Sequence, residues 1–522
     1  MALELIPNAV LSVVLASSIN IKGYAEINAY NAATQQVYVT TADGLALVDI
    51  KTPNNIKLQK LIDFTQSPYS FTNKLTSVAS QKGLTAVSIS AKSKQQPGRV
   101  ILLDANGKML SSIEVGPLPD MVTFTPDGKY LLVANEGEPS EPHGKIDPAG
   151  SVSIIDISNP SAPSVKTADF SKFDSQSTAL AKAGVRIFPG KKPSEDFEPE
   201  YIAVSADGKY AMVTLQEANA LGHLNIEAAS FEKIVPLGFK DWMGLEIDVT
   251  GKDNGYFPRK DSPIVGMYMP DAIAGFVGKD GKQYYVMANE GDDRNDFIEG
   301  EESIRLAKWK VELDGKKFPN AQKLVSKQWL GRLKTPKING LNGDTDGDGD
   351  IDIIYTYGGR SFSIVDAQGN QVFESGDHVE RWMGLAGGLD EKRSSKKGPE
   401  PEGVTVGTIN DKVYAFIGIE RGAGGVMVYE VSNPKTPKFV AYAKKDGDRS
   451  PEGLTFISSS DRSFGEIKDA VSSPFFWEDS FRKLFIIFFK KNILLLVTRI
   501  DKKLFNVLGK FIVLEIFCIT CN

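Results

Sequence analysis

The stretch PDMVTFTPDGKYLLVANEG, residues 119–137, decides the fold because its parts recur along the chain. A proline and an acid begin a short apolar run, an Asp-Gly turn follows, and a second apolar run ends in an amide and a carboxylate. Asp-Gly between two alternating runs is typical of a β-hairpin. The proline-acid start occurs at Pro119, Pro199, Pro270, Pro401 and Pro451.

A further strand pattern, ending in an acid and a turn, completes several of these units. Examples are IIDISNPS, residues 154–161, and VYEVSNPK, residues 428–435. Three or four short antiparallel strands per unit, repeated around a ring, form the blades of a β-propeller. Unit starts fall near Tyr24, Leu75, Pro119, Pro199, Pro270, Gly343, Pro401 and Pro451. We therefore expect an all-β protein with seven or eight blades, since a set of unrelated β-domains would not share one start.

The composition changes near the end of the chain. We expect the propeller to cover residues 1–459, and residues 460–522 to be an atypical apolar tail, as in LFIIFF at 484–489. A frameshifted or rearranged terminus would explain the change. The last blade would then be incomplete, and the strand predicted around residues 10–19 would lack partners.

Composition and motifs exclude several classes of function. The 522 residues include 60 Lys and Arg against 66 Asp and Glu, a formal charge of −6, with no basic run that would indicate a nucleic-acid binder. The propeller region contains no apolar run long enough to predict a membrane span, and Glu4 stands where a signal peptide carries Lys or Arg. Motifs of serine hydrolases, zinc proteases and P-loop enzymes are also missing from the sequence.

The repeated acids predict one polar site. The proline-acid pair should begin the innermost strand of each blade, and the acids that end the second strand should lie near the same mouth of the central channel. The candidates, with three arginines at comparable points, are Asp120, Glu136, Glu200, Glu217, Asp271, Glu290, Arg294, Arg360, Glu402, Glu420 and Arg421, and Glu452 has the same position in the last unit. Such a set could hold a hard divalent cation or an anion. Alternatively, the acids accept backbone hydrogen bonds and pair with arginine for purely structural reasons.

A second acidic cluster is the loop DTDGDGDID, residues 344–352. Asp344, Asp346, Asp348 and Asp352 occupy the first, third, fifth and ninth positions of a calcium loop, and Asp350 offers its backbone carbonyl. It is not a complete EF-hand, because a tyrosine stands at the twelfth position and a strand pattern follows. We expect a structural Ca²⁺ that ties a hairpin, although a solvated acidic turn without metal is the alternative.

Taken together, the motifs resemble a known family. VMANEGDDR at 286–294, GDTDGDGDID at 343–352 and KGPEPEGVTVG at 397–407 look like the bacterial choice-of-anchor I domain, a YVTN- and WD40-like propeller related to mesenchyme-specific cell surface glycoproteins. The resemblance covers about residues 24–456. It implies an extracellular, periplasmic or cell-surface protein. Members are often labelled alkaline phosphatase-like, but the resemblance brings no catalytic residues.

These observations favour an extracellular or cell-surface binding or adhesion module that is stabilised by calcium and recognises an unknown surface or matrix ligand. The alternative is a metal-dependent, phosphatase-like hydrolase that uses the carboxylates at the channel mouth to hold metal. Metal-dependent turnover of a phosphoester would distinguish the two.

Overall fold

The computed structural model describes residues 12–21, 25–67, 69, 71, 74–141, 144–251, 253–295, 297–298, 301–444, 450–462, 475–479 and 483–490. For residues 12–17, 475–479 and 483–490 only the backbone is described. Strands dominate this part of the chain, so the predicted all-β class is confirmed.

Seven four-stranded antiparallel sheets contain most of the described strands, and we number them in chain order. Sheet 1 contains Ala25–Asn31, Gln36–Thr41, Gly44–Asp49 and Lys57–Ile62. Sheet 2 contains Leu75–Gln81, Leu84–Ile89, Pro97–Leu103 and Met109–Pro117. Sheet 3 contains Pro119–Phe124, Tyr130–Asn135, Ser151–Asp156 and Ser164–Ala168.

The remaining four sheets follow the same order. Sheet 4 contains Pro199–Val204, Tyr210–Leu215, Ala220–Asn225 and Ser230–Pro236. Sheet 5 contains Ile273–Val277, Gln283–Asn289, Ser361–Asp366 and Gln371–Glu374. Sheet 6 contains Pro401–Ile409, Lys412–Ile419, Val426–Glu430 and Lys438–Ala443. Sheet 7 contains Pro451–Phe456, Phe475–Asp479, Lys483–Lys490 and Ser12–Asn20.

The sheets form a ring around their first strands. Each first strand contacts the first strand of the next sheet, and that of sheet 7 contacts that of sheet 1. Apolar clusters fill the spaces between neighbouring sheets, including sheets 7 and 1, where Ile457 packs with Val37 and Val48. This arrangement of face-packed sheets around an axis is a β-propeller, as the repeat predicted.

The hairpin turns follow from their sequence. In sheet 3, the Thr125 hydroxyl donates to Asp127 Oδ1 at 2.6 Å, and the backbone N–H of Lys129 donates to the same atom at 3.0 Å. Gly128 takes φ +74°, a conformation that glycine adopts without a steric penalty. Sheet 4 repeats the turn with Ser205 and Asp207 at 2.6 Å. A short acidic side chain and a glycine thus close the hairpins of sheets 3 and 4.

Sheet 7 differs from the sequence expectation. The N-terminal strand does not lack partners, because Ser12–Asn20 pairs antiparallel with Lys483–Lys490, which in turn pairs with Phe475–Asp479. The sheet has four strands, so the expectation of an incomplete last sheet is wrong at the level of backbone pairing. Two strands come from the region predicted to be an appendage, and residues 491–522 lie outside the described residues.

Two segments around sheet 5 form a separate small unit, which we call the insertion. It consists of residues 237–272, before the sheet, and 290–360, between its second and third strands. Its strands are Phe239–Asp241, Val265–Met267 and Tyr355–Thr356 in one sheet, and Ser303–Arg305 and Lys334–Pro336 in another. Its own core includes Trp242, Leu330 and Ile351. Gly343, expected to begin a repeat unit, instead lies in this insertion.

The helices among the described residues are short and lie in segments that connect strands. The α-helices are Ser177–Lys182, Pro193–Asp196, Ala321–Leu324, His378–Leu385 and Glu391–Ser394, and the 3₁₀-helices are Pro53–Asn55, Ser171–Gln176 and Leu306–Lys308. Two interconnecting segments matter for the site: residues 169–198, between sheets 3 and 4, and residues 375–400, between sheets 5 and 6.

Candidate functional site

A cavity of about 670 Å³ lies where the first strands and the insertion meet. Ten of the eleven candidate residues line it: Asp120, Glu136, Glu200, Glu217, Asp271, Glu290, Arg294, Glu402, Glu420 and Arg421. The structure adds twelve that the sequence did not single out: Glu138, Glu198, Gln216, Asp292, Asp293, Asn295, Phe297, Lys334, Tyr357, Arg393, Lys396 and Lys397. Twelve carboxyl groups therefore face six cationic side chains, an excess of six negative charges when all are ionised.

A local irregularity in the first strands directs the acids into this cavity. In sheet 3 the pairing register shifts between Pro119 and Met121, so Asp120 has no partner across the ladder. The first strands of sheets 1, 2, 4, 6 and 7 have a shift at the corresponding place. Such β-bulges redirect one side chain away from the plane of the sheet. The bulged residue is the acid of the proline-acid pair in sheets 3, 4, 6 and 7.

The residue before the proline contributes to the same turn. Leu118, Met269, Glu400 and Ser450 all take a positive φ between +45° and +53°. This conformation is uncommon outside glycine and is disfavoured before proline, so the surrounding contacts must hold it. Backbone hydrogen bonds hold this conformation. The carbonyl of Leu118 accepts one from Glu136 N, and the carbonyl of Glu400 accepts one from Glu420 N, both at 2.9 Å.

Those two backbone bonds also explain why both sets of acids meet. Each links the start of the first strand to the residue after the second strand, which is itself an acid. In sheets 3 and 5 the preceding amide fixes this corner, since Asn135 donates to Ser151 and Ser153, and Asn289 donates to Ser361 and Ser363. The Asn-Glu-Gly sequence is therefore a structural corner that presents its glutamate to the cavity.

Part of the cavity wall is neutralised by cations. The Lys397 ammonium lies 2.9 Å from Glu290 and 3.1 Å from Asp292, and Arg421 lies 2.6 Å from Glu420. Arg393 pairs with Glu400, which closes this cluster from behind. The alternative interpretation, in which acids and cations form a structural network, therefore holds for this part of the wall.

Arg294 anchors a second neutralised part. Its guanidinium lies 2.5 Å from Asp196 and 3.2 Å from Glu198, and it is 5% exposed. Because Asp196 belongs to segment 169–198 and Arg294 to the insertion, this ion pair joins the two. Arg186 and Glu302 form another buried pair between the same segments.

The remaining acids lack such partners. Asp120, Glu136, Glu200, Asp271 and Glu402 have no ion pair or side-chain hydrogen bond to the residues that the structure describes. The Oε2 atoms of Glu402 and of Glu217 are buried and without a hydrogen-bond partner in the same described part of the chain. An unpartnered buried carboxylate is unfavourable, so this part of the wall is incompletely neutralised.

Burial and mutual repulsion change the protonation of these acids. Burial raises the pKa of Asp120 to about 6 and the pKa of Glu217 to about 7. Burial, followed by repulsion from Glu290, raises the pKa of Glu420 to about 8. Burial and neighbouring carboxylates also hold the pKa values of Glu200 and Asp271 well above the ordinary range.

Arg360 does not belong to the site, so its expected place at the channel mouth is wrong. Its side chain is fully buried and donates to Glu380 Oε1 and to the Asp248 carbonyl, both at 3.1 Å, and to the Ser394 carbonyl at 2.6 Å. Arg360 thus ties the insertion to segment 375–400. A strand-flanking arginine cannot be assigned to the cavity or to the interior by its spacing alone.

The aspartate loop lies in the insertion, between the second and third strands of sheet 5. Carboxylate oxygens of Asp344, Asp346 and Asp352 lie within 4.8 Å of one another. The Asp348 carboxylate is outside this group and accepts the backbone N–H of Asp350 at 3.1 Å. Asp352 also binds Lys317 at 2.9 Å. Three of the five predicted ligands therefore converge.

Two acids that spacing missed carry a signal in hindsight. Glu198 and Glu400 each precede a proline-acid pair, so that the sequence Glu-Pro-Glu occurs at 198–200 and again at 400–402. Glu198 lines the cavity, and Glu400 lies directly behind the wall, bound by Arg393. A search for acids on both sides of the repeated proline would have found them.

Comparison with known proteins identifies the family of the chain. The choice-of-anchor I domain family matches residues 26–434, so the chain belongs to that family. A curated relative, the mesenchyme-specific cell surface glycoprotein of Strongylocentrotus purpuratus, is 25% identical over 297 residues, which are 49% of this chain and 37% of that protein. The chain thus spans little over a third of that relative's length.

Several solved structures are similar at low identity. The β-propeller domain of Cps50 (Swd1) from Myceliophteria thermophila has 9% identity and a TM-score of 0.43, with coverage of 91% of this chain and 99% of that one. The WD40 domain of Toxoplasma gondii coronin has 8% identity and a TM-score of 0.44, with coverage of 94% of this chain and 90% of that one. Kuenenia stuttgartiensis hydrazine synthase has 10% identity and a TM-score of 0.45, with coverage of 90% of this chain and 96% of that one. Among the described residues, no helix has the length and hydropathy to span a membrane.

The raised pKa values predict how stability depends on pH. A carboxyl group whose folded pKa lies above its unfolded value binds its proton more tightly in the folded state, so stability falls as pH rises through that interval. For Glu217 the interval runs from 4.5 to about 7. In chelator, Glu217→Gln should therefore reduce the loss of melting temperature between about pH 5 and about pH 8. Thermal unfolding measured across this pH range tests this, with Glu114→Gln as the exposed control. Parallel curves of melting temperature against pH for the wild type, Glu217→Gln and Glu114→Gln would contradict the prediction.

Proposed function

We propose that this chain is a seven-bladed β-propeller that acts as a binding module at the cell surface, and that its cavity receives a positively charged group of its ligand. The observation that carries the proposal is the excess of acids in one cavity, part of them without partners. A cavity lined by one sign of charge attracts ligands of the opposite sign. A lysine-rich protein segment or an amine-bearing glycan has the required chemistry.

The surface location is supported by family membership and by the curated relative, which is named as a cell surface glycoprotein. The seven-bladed count rests on the cyclic contacts among the first strands of the seven sheets. Binding in the central depression suits a propeller, because every blade contributes its first strand to the same rim and the segments between blades vary freely.

A lysine peptide tests the proposed ligand class. Hexalysine should bind the full chain, more weakly as salt increases, because the attraction is electrostatic. Glu217→Gln with Glu402→Gln should weaken binding by about tenfold or more, equivalent to about 1.4 kcal/mol. Fluorescence anisotropy of labelled hexalysine measures this, with hexaglutamate as the control peptide.

The matched control protein is Glu114→Gln. The Glu114 side chain is 67% exposed and pairs with Arg99 outside the cavity. It should bind hexalysine as the wild type does. Equal affinity of the wild type and the Glu217/Glu402 variant, or equal binding of hexaglutamate, would contradict the proposal.

The calcium proposal concerns the aspartate loop. The donor set fits Ca²⁺, since Asp344, Asp346 and Asp352 offer hard oxygens around one point, and Gly347 and Gly349 take φ values of +83° and +98° that let the loop turn. Bound there, the ion would supply structural stabilisation by offsetting repulsion among the aspartates. The loop belongs to the insertion that supplies Arg294 to the cavity, so its calcium would also support the site.

Calcium should raise the melting temperature relative to chelator, and Asp346→Asn should reduce that rise because it removes one converging carboxylate. Asp348→Asn is the matched control, because its carboxylate lies outside the group, and it should retain more of the rise. Differential scanning fluorimetry measures both. An identical melting temperature in calcium and chelator for the wild type would show that calcium does not bind.

A phosphatase-like hydrolase is the second candidate, favoured by one observation. Glu420, with a pKa of about 8, lies beside Arg421 and near Lys397, which places a protonated carboxyl next to cations able to hold a phosphoester. The cavity acids would hold a divalent metal, which would supply Lewis-acid activation of the ester.

The two candidates differ in turnover. The binding proposal expects no metal-dependent hydrolysis of para-nitrophenyl phosphate by the purified chain. The hydrolase requires turnover that is lost on Glu290→Gln and on Arg421→Ala but retained in Glu114→Gln. Observing that pattern would replace the binding proposal with the enzymatic one.

A further inference from the structure

The second position of the first strand is acidic in almost every sheet. The residues there are Glu26, Thr76, Asp120, Glu200, Glu402 and Glu452, and in sheet 5 Asp271 lies two residues before the strand. Because the first strands surround the axis in cyclic order, these positions form a ring. Thr76 interrupts it by donating to the Pro119 carbonyl at 2.5 Å.

Four of these acids, Asp120, Glu200, Asp271 and Glu402, line the cavity. We call them, together with the adjacent Glu217, the axial acids. Glu26 is not among them and is neutralised by Lys74 at 2.8 Å. The axial acids are thus the part of the ring that opens into the cavity.

The axial acids lack the partners that buried acids normally have. Glu200 and Glu217 are only 9% and 8% exposed. Glu200 has no hydrogen bond or ion pair to any described residue, and Glu217 Oε2 is buried with no partner there. Buried carboxylates are ordinarily paired or bound to metal.

Five of the six cations of the cavity wall pair with acids outside the axial group. Arg294, Lys397, Arg421 and Arg393 pair with acids outside the axial group, and Lys334 lies 3.7 Å from Asp293. The sixth, Lys396, is partly exposed near Arg393 and Lys334, and partial burial and these cations lower its pKa. Among the described residues no cation forms an ion pair with an axial acid, and the attraction of Arg294 for Glu217 and of Lys74 for Asp120 still leaves both pKa values raised.

We propose that a divalent cation, Ca²⁺ or Mg²⁺, binds on the propeller axis among Asp120, Glu200, Glu217, Asp271 and Glu402. Carboxylate oxygens are the ligands that these hard cations prefer. The axial acids are absent from the triplets whose oxygens lie within 4.8 Å among the described residues, so the ion keeps part of its hydration shell. The cavity of about 670 Å³ has room for such a hydrated ion.

This inference rests on the proposed function, because it names one occupant of the same cavity. The ion would compensate the axial acids while no ligand is bound, and the positively charged group of the proposed ligand would displace it. It is separate from the aspartate loop, whose carboxylates belong to the insertion and not to the first strands.

Equilibrium dialysis of the full chain against CaCl₂ and against MgCl₂ tests the inference. With calcium, the wild type should bind one ion in the loop and one on the axis. Asp346→Asn should retain the axial ion, and Glu200→Gln with Glu217→Gln should lose it or bind it about tenfold more weakly or worse. Glu114→Gln is the control and should match the wild type.

A melting curve shows whether the double variant is folded. Since two repelling carboxylates become neutral, Glu200→Gln with Glu217→Gln should melt higher than the wild type in chelator and respond less to Mg²⁺. An axial ion retained by this variant at wild-type affinity, or a lower melting temperature in chelator with unchanged ion binding, would overturn the inference.

The hexalysine assay separates this inference from the proposed function. If the wild type binds no axial ion but hexalysine binding depends on Glu217 and Glu402, the inference fails and the binding function stands. If neither the ion nor hexalysine binds, both fail.

Discussion

Repulsion among the carboxyl groups that meet on the propeller axis is the constraint on which the site depends. A repeated strand start brings one acid from each of four sheets, sheets 3 to 6, into one cavity, so the fold itself accumulates like charge. Twelve carboxyl groups against six cations cannot all be ionised at low dielectric without a compensating charge. The charge can be compensated by protonation, by internal cations or by bound cations. The raised pKa values of Asp120, Glu217 and Glu420 correspond to protonation.

The insertion and the segment between sheets 5 and 6 supply internal cations that compensate part of this charge. Arg294 comes from the insertion, and Arg393 and Lys397 come from the segment between sheets 5 and 6. Buried pairs hold these additions together, such as Arg294 with Asp196 and Arg360 with Glu380. The internal cations neutralise the wall on their own side and leave the axial acids for an outside charge. The aspartate loop lies within the insertion and so acts on the cavity only indirectly.

Much of this arrangement follows from the sequence, because the repeat has a physical cause at each position. Asp-Gly turns close the hairpins, apolar alternation forms the strands, and a proline-acid start directs Asp120, Glu200 and Glu402 toward the axis. The bulges and the positive φ of residues such as Leu118 could not be predicted, since they depend on hydrogen bonds between strand ends. Arg360 was wrongly assigned to the channel mouth, because its spacing in the sequence does not show that it pairs with Glu380 of segment 375–400. The pairing of Ser12–Asn20 with Lys483–Lys490 was missed because composition alone suggested an unrelated tail.

The position of bound metal shows whether the axial acids hold a cation. A crystal of the full chain soaked in Mn²⁺, a divalent cation with a measurable anomalous signal, would show where the uncompensated charge lies. We expect an anomalous peak in the cavity, among Asp120, Glu200, Glu217, Asp271 and Glu402. A map with a peak only at residues 344–352, and ordered water or a protein cation among the axial acids, would contradict it.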